Sequence, residues 1–387
     1  MGAPAPTITP TLPLTLKPSL APTPTLVSPP QSIPIEPVVL RQTGASVLAI
    51  ASRIDFVTSL DSDSDGRIIY TEFQTGRLNI LEPIGDGNFK ERLLAIIPLP
   101  DRYTLGQNQG LWHALLDPTE QFLYAYAIDQ TDPPISKVVR MPYRDGSVGD
   151  IEVVLSGISG ENDHYGGAMA FGPGGNLYLT TGDMWGLPGE MPKFGGAILR
   201  VSPDGQIPSD NPTATSYIYA QGFRNPYGMD FDTVTWELYV ADAGPACCGS
   251  LRRVVAGKYH GWPDYGLLPG DIIKAEQDPD VVAPLFDTGA EHPTPTQLIS
   301  YRGDRYGKQF NGNLFFGTFG KGDLRRVKLS DDGLSAIPIG EQQHQIALSF
   351  EVPRAIIGLT STPDGYIYYA TLWRIFRIES FGSTGDG

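Results

Sequence analysis

One short unit recurs along most of the chain and constrains its fold more than any other feature. Each copy is a turn containing Asp, Pro or Gly followed by a short apolar and aromatic strand, as in Asp-Gly-Arg-Ile-Ile-Tyr at 65–70. The copies are anchored by Tyr70, Tyr124, Tyr178, Tyr239, Phe315 and Tyr368. These anchors lie 54, 54, 61, 76 and 53 residues apart, and each interval can hold the four strands of a propeller blade.

The repeat therefore predicts an all-β fold, a six-bladed β-propeller over residues 38–380. The longer intervals predict extended loops near residues 183–215 and 260–300. Two packed β-sandwiches are the alternative, but one period through the whole body argues against a boundary. Function in a propeller usually lies at one end of the central channel, where such loops gather.

Charge and hydropathy exclude several classes of partner. The chain has 28 Lys and Arg against 43 Asp and Glu, a net charge of −15, which argues against nucleic acid or anionic lipid. No apolar run approaches the roughly 18 residues of a membrane helix. The composition predicts a globular protein without a transmembrane segment.

Residues 1–37 differ from the rest of the chain. They contain eleven prolines and six threonines but only two charged residues, Lys17 and Glu36, which predicts a disordered, extended linker without a core. Residues 381–387 are expected to form a flexible tail. Spacers of this kind often follow a lipidated cysteine, so we expect export to the periplasm or the exterior, with a signal and lipid tether absent from this chain. A natural cytosolic Pro-rich tail remains the alternative.

A few polar residues could carry chemistry. His164 comes just before a strand and Asp183 is expected at the far end of that same strand, so the two could form a general-base pair. Arg224 and Asn225 offer planar groups suited to a planar, carboxylated ligand, or they tie a loop to backbone carbonyls. The turn at Gly244 and Pro245 could direct carbonyls at a hard cation.

Two further motifs have competing interpretations. The carboxylates of Asp61, Asp63 and Asp65, with Glu72 at the twelfth position, satisfy the calcium-loop pattern of an EF-hand. Because the following residues predict a strand, the alternative is a blade hairpin turn. Cys247 and Cys248 are either two thiols or one ring disulfide.

A series of short motifs runs through about residues 60–375. In chain order they are Gln109-Gly110-Leu111, Asp163-His164, Thr-Gly-Asp at 181–183, Ile-Leu-Arg-Val-Ser-Pro-Asp-Gly-Gln-Ile-Pro-Ser-Asp-Asn-Pro at 198–212, Gly-Phe-Arg-Asn-Pro-Tyr-Gly at 222–228, Gly244-Pro245, Tyr-His-Gly-Trp-Pro at 259–263 and Arg354 before Thr-Pro-Asp-Gly at 362–365. Together and in this order, the motifs resemble those of the soluble glucose and aldose-sugar dehydrogenases that depend on pyrroloquinoline quinone (PQQ), the glucose/sorbosone dehydrogenase family.

The resemblance implies a six-bladed propeller that oxidises aldoses with PQQ and calcium. It implies that His164 is the general base, oriented by Asp183, and that Arg224 stabilises charge on the quinone. The other implied roles are substrate contact for Gln109 and Asp163, cofactor contact for Gln109, Asn225, Thr294, Lys321 and Arg354, and calcium ligation by the carbonyls of Gly244 and Pro245. The implied electron acceptor is a cytochrome or a quinone.

The chain also departs from the family pattern. His292 stands near a usual tryptophan, Val352 replaces a second late arginine, and the cysteine pair replaces acidic residues after Gly-Pro. Fewer cationic partners weaken binding of a tricarboxylate. Two alternatives therefore remain open: a cofactor-free propeller that binds carbohydrate or protein, and a lactonase that uses a channel calcium.

Overall fold

A computed structural model describes most of the chain. The described residues are 38–39, 43–52, 54–99, 109–129, 134–159, 163–184, 194–245, 249–266, 270–288, 293–339, 344–349 and 355–382. The linker predicted at 1–37, most of the predicted tail and Arg354, Cys247, Cys248, His292 and Val352 lie outside these ranges. Residues Ile35–Gly387 form one compact unit.

The described chain consists of antiparallel strands with one short α-helix. Two strands come first: β1 (Val38–Val39) and β2 (Ser46–Ser52). The first blade contains β3 (Val57–Ser62), β4 (Ile68–Glu72), β5 (Arg77–Gly85) and β6 (Asn88–Ile96). The second contains β7 (Leu111–Leu116), β8 (Phe122–Asp129), β9 (Ile135–Arg144), β10 (Ser147–Val148) and β11 (Glu152–Ser159).

The third blade contains β12 (Met169–Phe171), β13 (Leu177–Thr181), β14 (Ala197–Val201) and β15 (Ile218–Gln221). The fourth contains β16 (Pro226–Phe231), β17 (Leu238–Asp242), β18 (Ser250–Val254) and β19 (Phe286–Asp287). Between its last two strands lies the helix α1 (Asp271–Gln277). Short 3₁₀ helices occur at Pro173–Gly175 and Lys308–Phe310.

The fifth blade contains β20 (Thr294–Tyr301), β21 (Asn313–Phe319), β22 (Leu324–Leu329), β23 (Ala336–Ile337) and β24 (Gln345–Leu348). The sixth contains β25 (Gly358–Ser361), β26 (Ile367–Ala370) and β27 (Arg374–Ser380). β2 completes it by pairing with β27, with Val47 opposite Ile378. Strands from both ends of the propeller therefore share one sheet and close the ring.

The six-bladed β-propeller predicted from the repeat is confirmed. The first strands of the six sheets, β3, β7, β12, β16, β20 and β25, contact one another in a closed ring around the central channel. Each of the six aromatic anchors lies in the second strand of its blade. The repeat predicts the blades because the same buried position in the second strand of each blade is filled by a large aromatic side chain.

The core lies between neighbouring blades. Ile69 on β4, for example, belongs to one apolar cluster with Leu123 on β8 and Met141 on β9, and all three are fully buried. Burial of each such side chain stabilises the fold by about 1.5–3 kcal/mol. Among the described residues no helix is long and apolar enough to span a membrane.

Chain direction divides the loops into two groups. The turns that join the first and second strands of the blades, such as 63–67 and 172–176, lie at one end of the propeller, here called the bottom. The loops that join second to third strands, and one blade to the next, lie at the other end, here called the top. Residues 163–168, 182–184, 222–225 and 243–245 all belong to top loops.

Candidate functional site

A histidine and an aspartate form a buried pair at the top. His164 lies in the loop that enters β12, and Asp183 lies in the loop that leaves β13. Because these strands pair antiparallel, the two loops meet, and Nδ1 of His164 lies 2.7 Å from Oδ1 of Asp183. The prediction that both residues flank one strand is wrong, since they flank the open ends of a hairpin.

The backbone around the pair is closely packed. His164 has a φ of 56°, which is uncommon for a residue with a side chain, and its N–H donates to Oδ1 of Asp163 at 2.8 Å. A Cβ on Gly182 would lie 1.9 Å from the carbonyl oxygen of His164. The loops can therefore approach only because residue 182 is glycine.

Arg224 and Asn225 reach the same end from the loop before β16. The carboxylate of Asp242 accepts hydrogen bonds from both backbone N–H groups, at 3.2 Å and 2.8 Å. Nη1 of Arg224 donates to the carbonyl oxygens of Ala243 and Gly244, at 2.9 Å and 3.2 Å. Nearby, Asn225 Oδ1 accepts from the N–H of Gly166 at 3.2 Å, which ties this loop to the one that carries His164.

Gln109 and Asp163 also lie in top loops. Gln109 is buried, and its Nε2 donates to the hydroxyl oxygen of Tyr165 at 3.4 Å. Asp163 is half-buried beside His164. The loops therefore bring together Gln109, Asp163, His164, Asp183, Arg224 and Asn225, which are more than a hundred residues apart at the extremes.

A cavity of about 320 Å³ is lined by residues of the first strands and of the top loops, and none of the six residues named above is among its described lining residues. Such a volume is at the lower end of the range for small-molecule sites. Its lining is aromatic and apolar with a few hydroxyl and amide groups: Phe56, Thr58, Trp112, His113, Gly166, Gly167, Tyr227, Thr294, Thr296, Gln297, Phe319, Ile357 and Leu372. Thr294 is thus at the cavity, whereas Lys321 lies exposed in the turn after Phe319. Arg354 is outside the described residues.

The residues predicted to bind calcium fall into two places. The Gly244 carbonyl lies at the top and accepts from Arg224, with Pro245 next to it. At the bottom, Asp63 accepts from the Tyr143 hydroxyl at 2.6 Å and from Arg67, and Asp61 accepts from the Leu116 N–H at 2.7 Å.

Asp65 pairs with Arg67 at 2.8 Å, so the 61–65 loop is a hairpin turn whose carboxylates have partners in the protein. Burial raises the pKa of Asp61 to about 6. Within the described ranges no three His, Cys, Asp or Glu side chains converge as a metal site. Asp61, Asp63 and Asp65 therefore do not form a three-carboxylate cluster.

The sequence pattern of the family described as glucose/sorbosone dehydrogenase matches residues 56–372. This chain belongs to the glucose/sorbosone dehydrogenase family. The family resemblance noted from the motifs is thereby confirmed. Membership supports an oxidoreductase related to sugar dehydrogenases.

Individual proteins similar to this chain include two aldose sugar dehydrogenases and an uncharacterised protein. Aldose sugar dehydrogenase YliI of Escherichia coli is 26% identical over 227 residues, which are 54% of this chain and 57% of that protein. An uncharacterised protein of Synechocystis is 23% identical over 355 residues, 82% of each chain. The PQQ-bound aldose sugar dehydrogenase of Streptomyces coelicolor has a TM-score of 0.70 at 22% identity, with 91% of this chain and 99% of that chain covered, which supports the fold.

Trp262 is a residue of the candidate site that the sequence did not predict. Nε1 of Trp262 donates to Oδ2 of Asp183 at 2.9 Å, and the guanidinium carbon of Arg224 lies 5.6 Å from the centre of the Trp262 ring. Trp262 comes from the fourth blade, between β18 and α1. Its motif, Tyr-His-Gly-Trp-Pro at 259–263, was visible in the sequence, but no spacing rule connects it to Asp183.

His113 is a second residue whose place only the structure gives. It lines the cavity, is fully buried, and its Nδ1 accepts from the Met169 N–H at 3.0 Å. Burial lowers the pKa of His113 to about 4. It is therefore neutral at physiological pH and acts as a fixed link between the second and third blades.

Proposed function

We propose that this protein oxidises aldose sugars at the anomeric carbon to lactones with PQQ as cofactor, and that His164 is the general base. The observation that carries the proposal is the 2.7 Å contact between His164 Nδ1 and Asp183 Oδ1. The Asp183 backbone N–H donates to the Arg224 carbonyl at 2.7 Å, and Gly166 and Gly167 of the loop that carries His164 line the cavity. A buried imidazole oriented by a carboxylate is the arrangement that proton abstraction requires.

The pair determines which nitrogen acts. When Nδ1–H donates to Asp183, the lone pair of the neutral ring is on Nε2, which accepts the proton of the anomeric hydroxyl. The C1 hydrogen leaves as hydride, so the sugar loses two electrons and two hydrogens and becomes a lactone. PQQ, when bound, supplies the two-electron acceptor for this hydride. Asp183 stabilises the imidazolium that forms.

The residues at the top suit such a cofactor. Aromatic side chains of Trp112, Tyr227 and Phe319 line a cavity that suits a flat ring system. Thr294 adds a hydroxyl, and Arg224 and Asn225 stand on the adjacent loop. Arg224 would hold a quinone oxygen or a carboxylate, with Gln109 and Asn225 beside it. We predict that Lys321 and Arg354 bind the outer carboxylates of PQQ.

Calcium would require a rearrangement at Arg224. The carbonyls of Ala243 and Gly244 converge on one guanidinium nitrogen, and converging carbonyl oxygens are what a hard cation needs. In this structure the guanidinium stands there. We propose that calcium binds at the Gly244 and Pro245 carbonyls when Arg224 releases the Ala243 and Gly244 oxygens and turns toward the cofactor.

The remaining partners follow from the same proposal. Asp163 and Gln109 would contact the sugar, because Asp163 lies beside His164 and Gln109 contacts Tyr165, the residue that follows His164. A cytochrome or a quinone outside the cytoplasm would reoxidise the cofactor. The negative net charge of −15 favours an acceptor with a basic docking surface.

A His164→Gln variant tests the proposal. It keeps the side-chain volume and removes the base, so dye reduction with aldoses should fall at least about a hundredfold while circular dichroism and the thermal unfolding curve stay unchanged. His344→Gln, which changes a histidine in the fifth blade, is the matched control and should retain wild-type turnover. Unchanged turnover in His164→Gln would exclude His164 as the base.

A further inference from the structure

We propose that Trp262 is a positioning residue for the His164–Asp183 pair, an inference that rests on the proposed function for its catalytic meaning. The two oxygens of Asp183 have different neighbours: Oδ1 contacts His164 Nδ1 at 2.7 Å and Oδ2 accepts the indole N–H of Trp262 at 2.9 Å. A carboxylate held at both oxygens cannot rotate about its Cβ–Cγ bond without losing one of these bonds. The indole therefore fixes the oxygen that faces the imidazole.

The segment that carries Trp262 is fixed to the third blade, although it belongs to the fourth. The backbone N–H of Trp262 donates to the Gly222 carbonyl at 3.0 Å, and the backbone N–H of His260 donates to the Gln221 carbonyl at 2.8 Å. The His260 ring stacks on Phe223 with ring centres 4.6 Å apart. These bonds place the indole against the loop that leaves β15, which is the loop that continues to Arg224.

Close approach of this segment also depends on Gly222. A Cβ at that position would lie 2.6 Å from the His260 backbone nitrogen, and the φ of Gly222 is +95°. The Arg252 side chain, buried beneath, donates to the His260 carbonyl. The segment is thus held by backbone and side-chain bonds on both sides, which is what a residue that orients another requires.

One indole therefore contacts both polar groups of the candidate site. Its N–H holds the carboxylate of the base pair, and its ring lies beside the Arg224 guanidinium. The two contacts can be separated by mutation, because phenylalanine keeps an aromatic face and loses the N–H. A Trp262→Phe variant isolates the hydrogen bond to Asp183.

Loss of the N–H should be visible at His164 without any cofactor. In wild-type protein labelled with ¹⁵N-histidine, we expect His164 to show one tautomer, with the proton on Nδ1 facing Asp183. In Trp262→Phe the carboxylate loses the hydrogen bond that the indole makes to its Oδ2, so its orientation is less restricted and we expect a mixture of tautomers. His164 is assigned among the five histidines by its missing signals in His164→Gln. The matched control is Trp236→Phe, the same change at a half-exposed tryptophan in a bottom turn, which should leave His164 unchanged.

A reciprocal measurement covers the case in which Trp262→Phe does not fold. The indole N–H cross-peak of Trp262 should move in Asp183→Asn, and the other four tryptophans should keep their positions. Identical His164 signals in wild type and folded Trp262→Phe, or an unmoved Trp262 cross-peak in Asp183→Asn, would overturn the positioning role.

Turnover then distinguishes positioning from general support. If aldoses are oxidised, Trp262→Phe should lower kcat about tenfold with KM within a factor of two, and it should add no further loss in an Asp183→Asn background. An equal loss in both backgrounds would contradict the inference. If the wild-type protein oxidises no aldose, the proposed function fails, while the NMR measurements still decide whether Trp262 orients the pair.

Discussion

Nδ1 of His164 and Oδ1 of Asp183 lie 2.7 Å apart, although 19 positions separate them in the sequence. The hairpin of β12 and β13 accounts for this contact, because antiparallel pairing returns the chain to the end from which it started. The pair is buried, and Trp262 holds the second carboxylate oxygen. The hairpin therefore brings the two loops together, and the bond to Asp183 orients the imidazole.

Replacing Asp183 by Asn should remove most of the activity. The amide keeps the shape but does not stabilise an imidazolium or select the Nδ1–H tautomer, so we expect kcat for aldose oxidation to fall by about 10²–10⁴. Steady-state dye reduction measures this change. Asp332→Asn, in an exposed turn of the fifth blade, is the control, and equal activity of the two variants would contradict the assigned role of Asp183.

Replacing Gly182 by Ala should disturb the pair through sterics alone. The added Cβ would lie 1.9 Å from the His164 carbonyl oxygen, so one loop must move, at a cost of about 1–3 kcal/mol in the free energy of unfolding. The free energy of unfolding, measured with denaturant, and kcat should both decrease. Gly149→Ala is the control, because the three atoms nearest its Cβ all belong to Pro142, at 3.3–3.4 Å, and a small shift of that ring relieves the contact. Its loss should be much smaller, and similar losses in both variants would contradict this explanation.

Replacing Arg224 by Ala should weaken PQQ binding. A charge-assisted hydrogen bond contributes about 1.5–3 kcal/mol, so the Kd should rise by about ten- to a hundredfold. Titration followed by absorbance measures the change. Arg253→Ala removes an arginine that pairs with Glu237 at 3.1 Å in the fourth blade and should leave Kd unaltered. A Kd within a factor of two of wild type in Arg224→Ala would remove Arg224 from the cofactor site.

His113 should make the protein less stable in acid. Burial lowers its pKa from 6.5 to about 4, so the unfolded chain binds a proton at this position before the folded chain does. Acidification from pH 6.5 to 4 therefore favours unfolding, by roughly 3 kcal/mol in total.

The comparison with His113→Asn isolates this contribution. Asparagine can still accept from the Met169 N–H, but it does not titrate. The advantage of wild type over the variant in unfolding free energy, measured with denaturant at pH 7, 6 and 5, should shrink as the pH falls. A difference that stays constant over this range would show that His113 does not carry the acid sensitivity.

The sequence alone contained the blade count, because each blade repeats the same buried second strand. Tyr70 and Phe315, for instance, stand at equivalent positions in β4 and β21, and the physical demand for a large apolar residue there is local. Ring closure by β2 and β27 is a pairing between distant segments, and no local pattern reports it.

The site could be predicted only in part, for the same reason. The family motifs indicated His164, Asp183 and Arg224, but the sequence suggested one strand between the first two where the structure has a hairpin. The N–H of Trp262 reaches Asp183 from another blade, 79 positions away. Asp63 satisfies a calcium-loop spacing, yet its Oδ2 accepts from the Arg67 and Tyr143 side chains and its Oδ1 accepts from the Arg67 backbone N–H, which spacing alone does not reveal.

Titrating the purified protein with PQQ, with and without calcium, and then adding aldoses tests cofactor binding and sugar oxidation together. We expect stoichiometric, calcium-dependent binding and a sugar-dependent loss of the quinone absorbance, both of which should be retained in Trp236→Phe. Absence of binding at micromolar PQQ in the presence of calcium would contradict the proposed function, and the propeller would then be a cofactor-free binding module.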